Sequence, residues 1–159
     1  MLALAPWLPG CVVVPETPLP SEEPAAPIPE IGTLAAYATV RAVDARSRIV
    51  MLTTSSGGML DMTLQDGRNL GRLRPGMPVI AEYDATGRAR IASTDIDGQR
   101  VAPNRIRGVL VEVQRGGEYL VVAGQERVPL TVAVPSPAMM AFATRLGPGD
   151  DIAVSFLSP

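Results

Sequence analysis

The chain has 159 residues, and its composition excludes several kinds of chemistry before any motif is considered. It contains no His, so neither a Ser-His-Asp triad nor a His-ligated metal site can form. All 14 basic residues are Arg, which excludes Schiff-base chemistry and the lysine of a phosphate-binding loop. The single Cys cannot form an internal disulfide. With a net charge of −2 and 4% aromatic residues, we expect no nucleic-acid partner, because phosphate binding needs a basic surface and single strands need stacking side chains.

Residues 1–11 have the pattern of a processing and attachment signal. Ten mostly apolar residues lead to Cys11, and Leu8-Pro9-Gly10-Cys11 resembles a bacterial lipobox, in which a Leu stands three residues before the Cys and a small residue precedes it. The resemblance implies cleavage before Cys11 and lipid attachment to its sulfur. The membrane would then be a partner through that lipid, and we expect a location in the bacterial cell envelope, facing the periplasm. No run of about 18–20 apolar residues predicts a transmembrane helix.

Residues 12–33 are predicted to form a disordered tether. Half of the 16 prolines fall in the first 29 residues, and the stretch up to residue 30 carries four Glu and no basic residue. Proline fixes φ and removes a backbone donor, so neither a helix nor a sheet ladder is expected. An extended tether of this composition would reach roughly 60 Å.

From residue 34 onward the pattern changes to short apolar runs that alternate with polar positions and are separated by Gly, Asp and Pro. Such runs predict β-strands joined by turns. Nine strands are predicted, at residues 37–43, 48–53, 59–64, 79–83, 88–93, 108–113, 118–122, 127–132 and 152–156.

The same order of strands and turns occurs twice in the sequence, with a period of about 70 residues. A Leu-x-Pro-Gly corner precedes a strand in each half, as Leu73-Arg74-Pro75-Gly76 and as Leu146-Gly147-Pro148-Gly149. We therefore predict a first β unit over residues 34–97 and a second over residues 98–159.

One short helix is predicted in the second unit. Ser136 is a good N-cap, Pro137 suits the first helical position, and Gly147 closes the segment. The apolar residues of this segment fall on one helical face: Met139, Phe142, Ala143 and Leu146. Five strands with a helix between the third and the fourth is the order of an OB-fold. The predicted class is all-β, with two tandem small five-stranded OB-like barrels and one short helix in the second.

These strand and turn spacings resemble small periplasmic β-barrel domains of bacteria, among them the CusF-type copper and silver chaperones. That resemblance implies a soft-metal site built from a His, a Trp and two Met spaced Met-x-Met. Here the only Trp is Trp7, and Met59 and Met62 are three residues apart, which places them on opposite faces of a regular strand. Met51 could approach either from a neighbouring strand, so Met51, Met59 and Met62 are retained as an alternative site for Cu(I) or Ag(I).

Catalysis is not expected, because no pattern brings two carboxylates together for acid–base chemistry. Glu82 and Glu112 are predicted to face solvent by strand alternation, Asp150 and Asp151 to lie in a solvated turn, and residues 95–98 to form a plain turn between the units. No cofactor is predicted. The predicted function is a lipid-anchored envelope protein with a binding or structural role and no catalytic activity. The alternatives are a periplasmic soft-metal carrier and an accessory subunit of an envelope assembly.

The second unit ends too soon after its fourth strand to supply a fifth. Its edge between Ile152 and Phe156 could be filled by the linker, by the first unit, or by a strand from a protein partner. The linker around Val101–Arg107 is the expected filler, because it is adjacent in sequence and closes a short loop.

Overall fold

The computed structural model describes residues 27–93 and 105–157, here called the first half and the second half. The first half contains β1 (Ile31–Asp44), β2 (Ile49–Thr54), β3 (Met59–Thr63), a 3-10 turn (Gly67–Arg72), β4 (Pro78–Asp84) and β5 (Ala89–Ser93). The second half contains β6 (Arg105–Gln114), a 3-10 turn (Arg115–Gly117), β7 (Tyr119–Ala123), β8 (Pro129–Ala133), α1 (Pro137–Ala143) and β9 (Asp151–Phe156). The prediction of an all-β protein with one short helix in the second half is confirmed for these residues.

All nine strands belong to one sheet, and the two halves do not form two separate sheets. The strand order is β3-β2-β1-β9-β6-β7-β8, with β4 paired to β1 and β5 paired to β4. Every strand pair is antiparallel. The predicted boundary between residues 97 and 98 lies outside the described residues.

The two Leu-x-Pro-Gly corners make the same contacts. Each corner packs on an irregularity of a long strand, between Val40 and Ala42 in β1 and between Leu110 and Glu112 in β6. Gly76 donates its amide to the Val40 carbonyl at 2.7 Å, and Gly149 donates to the Leu110 carbonyl at 2.8 Å. Both glycines have φ near +90°, a conformation that a side chain would strain, which explains why Gly follows Pro in each corner.

Strand β1 joins the two halves and corrects two expectations. Its first residues pair with β9, from Ile31 opposite Phe156 to Ala36 opposite Ile152, while β6 pairs with the other edge of β9. The tether predicted over residues 12–33 therefore ends earlier, because Ile31 is fully buried and already part of the sheet. The β9 edge is filled by the first half on one side and by β6 on the other, so it offers no free edge to a partner strand. The predicted filler, the linker around Val101–Arg107, is right for one edge of β9, because its last residues pair there, from Arg105 opposite Ser155 to Arg107 opposite Ala153. The other edge is filled by the first half.

A single main core collects apolar side chains from both halves. Helix α1 contributes the face that the sequence predicted, since Met139, Phe142 and Ala143 are buried. Leu146, which follows the end of the helix at Ala143, is buried as well. Ser136 caps the helix by accepting a hydrogen bond from the Met139 amide at 3.3 Å. The Phe142 ring packs on Tyr83 of β4 with ring centroids 4.5 Å apart, so the helix of the second half closes the core of the first.

Gly117 is expected to be sensitive to substitution because helix α1 packs directly on its backbone. It has φ +97°, and a Cβ at this position would lie 2.5 Å from the Met140 carbonyl oxygen. We expect Gly117→Ala to destabilise the protein by about 2 kcal/mol more than Gly116→Ala, because the added Cβ overpacks against helix α1, which typically costs about 1–3 kcal/mol. Urea unfolding measures this. Gly116→Ala is the matched control, since Gly116 has a similar φ of +66° but open space around it, and an equal loss in both variants would contradict the packing argument.

Candidate functional site

The three methionines of the alternative metal site do not come together. Met62 is fully buried in the core, whereas Met51 and Met59 lie on the opposite, exposed face of β2 and β3. Strand pairing explains this, because Met51 lies opposite Asp61 and Met59 opposite Thr53, which places the two side chains diagonally on one face. The second half carries Val121 and Val132 at the positions of Met51 and Met62.

Met51 and Met59 border a shallow depression of about 580 Å³, which Arg41 and Arg145 also line. The Arg41 guanidinium contacts the Met59 sulfur. Arg145, from the second half, donates to the Asp61 carbonyl on the edge of β3 at 2.7 Å. Two guanidinium groups beside the thioethers make this surface unfavourable for a bare Cu(I) or Ag(I) ion.

Asp150 is the charged group most deeply enclosed by the described residues, and it joins the two halves. Its side chain is buried, and one carboxylate oxygen accepts the Ser56 amide at 2.9 Å while the other accepts the Gly147 amide at 2.8 Å. Next to it, Ser55 accepts the Asp151 amide at 2.6 Å. These hydrogen bonds connect the β2–β3 turn of the first half to the corner before β9. The prediction that Asp150 lies in a solvated turn is wrong, because its side chain is buried.

Burial acts to raise the pKa of Asp150, but hydrogen bonds from Gly147, Ser56 and Thr54 outweigh it and leave the pKa below its ordinary value. The charged form is therefore the one that the fold stabilises. A carboxylate that accepts two backbone amides is held in place for structure and is not available as a general base.

Glu82 forms a second charged link between the halves and does not simply face solvent as predicted. Its carboxylate pairs with Arg90 of β5 at 2.5 Å and with Arg105 of β6. The Arg105 side chain reaches Glu82 across the two strands that separate β6 from β4, namely β9 and β1. Glu112, by contrast, is exposed as predicted.

Arg107 completes this outer face of the sheet. Its guanidinium stacks over the Tyr37 ring at 4.1 Å from the centroid and lies 3.6 Å from Asp151. The charged groups of this face are thus engaged with one another, which leaves no carboxylate pair arranged for acid–base chemistry on it.

A cleft of about 340 Å³ separates β3 from β5 in the first half. It is lined by Leu64, Gln65 and Asp66 after β3, by Arg88 before β5, and by residues 89–91 of β5. The two strands share no hydrogen bonds there, because β5 pairs only with β4 within the described chain. The β4–β5 turn is held by the Asp84 carboxylate, which accepts the amides of Thr86 and Arg88, each at 2.9 Å.

Several predicted features lie outside the described residues: Cys11 with its lipobox, Trp7, and the turn at residues 95–98. The described residues contain no cluster of three or more Cys, Asp or Glu side chains able to hold a metal ion. They also contain no helix that is long and apolar enough to cross a bilayer.

Sequence reasoning missed Asp150, Glu82 and the cleft. Asp150 follows a Pro-Gly corner, and this position is the only local signal that could have drawn attention to it. The partners of Glu82 and the gap between β3 and β5 arise from residues distant in sequence, so no local pattern marks them.

No protein-family model matches the chain, and no curated protein matches it. One similar solved structure is the cytoplasmic molybdate-binding protein ModG with molybdate bound. The two share 22% sequence identity over 77% of this chain and 88% of that chain, with a TM-score of 0.31. A similarity at this level says nothing about the ligand of this chain.

Proposed function

We propose that this chain is a lipid-anchored protein of the bacterial cell envelope, faces the periplasm, and has a binding or structural role without catalysis. The observation that carries the proposal is the position of β1. The segment that follows the lipobox and the Pro/Glu-rich stretch enters the sheet at once and fills the β9 edge. The anchor is thereby joined to a strand shared by both halves, which suits a module that is held at a membrane.

We further propose that each half is an OB-like unit and that the second borrows its fifth strand from the first. In the second half, pairing runs from β8 through β7 and β6 to β9 and then to the start of β1. A parallel bridge between Glu30 and Ala133 links that start back to β8. This is the circular order of an OB barrel, with residues 30–36 in the place of the fifth strand.

The absence of catalysis is supported by how the carboxylates are used. Asp150 binds backbone amides, Glu82 binds two guanidinium groups, and Asp84 caps a turn. None of these three has a second carboxylate as its partner, so the geometry favours structural roles for them.

Acylation of Cys11 tests the anchor. The full chain, expressed behind an efficient signal peptide, should incorporate labelled palmitate and partition into detergent, and Cys11→Ser should lose both properties. Ser55→Cys in the Cys11→Ser background is a matched control for nonspecific labelling, because it restores one thiol at another position. Equal membrane association of the native chain and Cys11→Ser would contradict the proposal.

The soft-metal alternative has one favourable observation, the shared exposed face of Met51 and Met59. We expect Ag(I) to bind the protein weakly, because Arg41 and Arg145 oppose a cation at that face. Calorimetric titration measures the affinity. A tight one-to-one complex that Met59→Leu abolishes, but that the buried-site control Met62→Leu retains, would establish the carrier function.

The accessory-subunit alternative would be supported by a stoichiometric partner that co-purifies with the native chain from membranes.

A further inference from the structure

The two halves differ at one equivalent position beside the cleft between β3 and β5. In the second half, the Val134 amide donates to the Glu118 carbonyl at 2.9 Å, and the preceding Ala133 amide donates to the Pro29 carbonyl at 2.8 Å. In the first half, the Leu64 amide likewise donates to the Arg48 carbonyl at 2.9 Å. The preceding Thr63 amide therefore points away from β2 and toward the cleft.

Among the described strands, β3 pairs only with β2, so the Thr63 amide has no strand partner on the side of the cleft. The cleft beside it offers apolar contact at Leu64 and Ile91 and a backbone donor at its edge. Its charged lining comprises Asp66, Arg88 and Arg90, so two arginines face one carboxylate there. Arg88 lines it, and Arg48 lies on its rim, where the guanidinium donates to the Gln65 carbonyl at 3.0 Å.

We propose that this cleft binds an extended, carboxylate-bearing peptide segment of a partner protein. The peptide would place a carbonyl on the Thr63 amide and a carboxylate near Arg48 or Arg88. The second half makes such a contact within the chain. There the extended dipeptide Pro29–Glu30 lies beside β8, and the Ala133 amide, which is equivalent to the Thr63 amide, donates to the Pro29 carbonyl. An added backbone segment on an unpaired strand edge is a common mode of peptide recognition.

This inference rests on the proposed binding role but not on the lipid anchor, so its test uses the full chain with Cys11→Ser in solution. The probe is a synthetic peptide with the sequence of residues 27–33, Pro-Ile-Pro-Glu-Ile-Gly-Thr. Amide chemical shifts are followed as the peptide is added. We expect saturable changes at Thr63, Leu64 and residues 88–91.

Three variants define the contact. Thr63→Pro removes the amide donor at an edge position, where proline is tolerated, and should abolish binding. Arg88→Glu should weaken binding about fivefold to tenfold, in the range of an exposed ion pair that is reversed in sign. Arg127→Glu, an exposed arginine in the β7–β8 turn, is the matched control and should leave the affinity unchanged.

Other results would overturn the inference. Absence of saturable shifts at millimolar peptide would show that the cleft binds no such segment. Shifts confined to Ala133 and its neighbours would show exchange with the chain's own first strand. Equal binding of a peptide with Lys in place of Glu30 would exclude carboxylate recognition. None of these results would affect the acylation of Cys11, so failure here is distinguishable from failure of the anchor.

Discussion

Removing the start of β1 should unfold the second half, although the deleted residues belong to the first. A chain that begins at residue 37 loses Ile31, Leu34 and Ala36 from the core and exposes the β9 edge. Burial of Ile31 and Leu34 alone is worth about 2–3 kcal/mol each. Their loss, together with the lost pairing to β9, approaches the whole stability of an ordinary domain, about 5–15 kcal/mol. Circular dichroism and urea unfolding should show the loss of cooperative unfolding.

Three further variants test whether the loss of stability comes from the start of β1 and not from shortening the chain. A chain that begins at residue 27 should unfold at the same urea concentration as the full chain with Cys11→Ser. Leu34→Ala in that chain should cost about 3–4 kcal/mol, because it leaves a cavity between the halves. Ile28→Ala, at a residue 46% exposed, should cost less than about 0.5 kcal/mol. Equal stability of the chains that begin at residues 27 and 37 would contradict the shared role of β1.

The Asp150 carboxylate should be the most sensitive single polar group in the described protein. Asp150→Ala leaves the amides of Ser56 and Gly147 buried without acceptors, and each lost charge-assisted bond costs about 1.5–3 kcal/mol. We expect a loss of about 3–5 kcal/mol, measured by urea unfolding at pH 7. Asp150→Asn keeps one acceptor but presents an NH₂ group to one of the two amides. Its loss of stability should therefore be about half that of Asp150→Ala.

The neighbouring Asp151→Asn is the control, since its side chain is 40% exposed and its pair with Arg107 is long, at 3.6 Å. It should change stability by less than about 0.5 kcal/mol. A loss in Asp151→Asn as large as that in Asp150→Ala would contradict the assigned role of the buried carboxylate.

The pH dependence of the free energy of unfolding should also report the buried Asp150 carboxylate. Because the pKa of Asp150 is lower in the folded protein than in the unfolded chain, its contribution is complete above the unfolded value, near pH 4. This stabilising contribution is lost as the pH falls through the pKa of Asp150 in the folded protein. Asp150→Asn should therefore show a smaller loss of stability on acidification than the native chain, whereas Asp151→Asn should follow the native chain.

The strands, the helix and the corners could be read from the sequence because they depend on neighbours in the chain. Alternating apolar residues placed eight of the nine strands to within three residues of their observed positions, whereas β1 begins at Ile31, six residues before the predicted start. The helix face could be predicted because Met139, Phe142, Ala143 and Leu146 follow its period. The Pro-Gly corners could be predicted because their glycines need a φ near +90°.

What only the tertiary structure decided is which strand completes which half. The local pattern places Ile31 in the tether and Leu34 before the first predicted strand, which begins at residue 37, and it does not show that their partner is β9. Similarly, Asp150 and Glu82 could be recognised as structural only when Ser56 and Arg105 were brought to them from 94 and 23 residues away. Alternation and turn chemistry act over a few residues, whereas strand pairing and the burial of charge depend on contacts between segments distant in sequence.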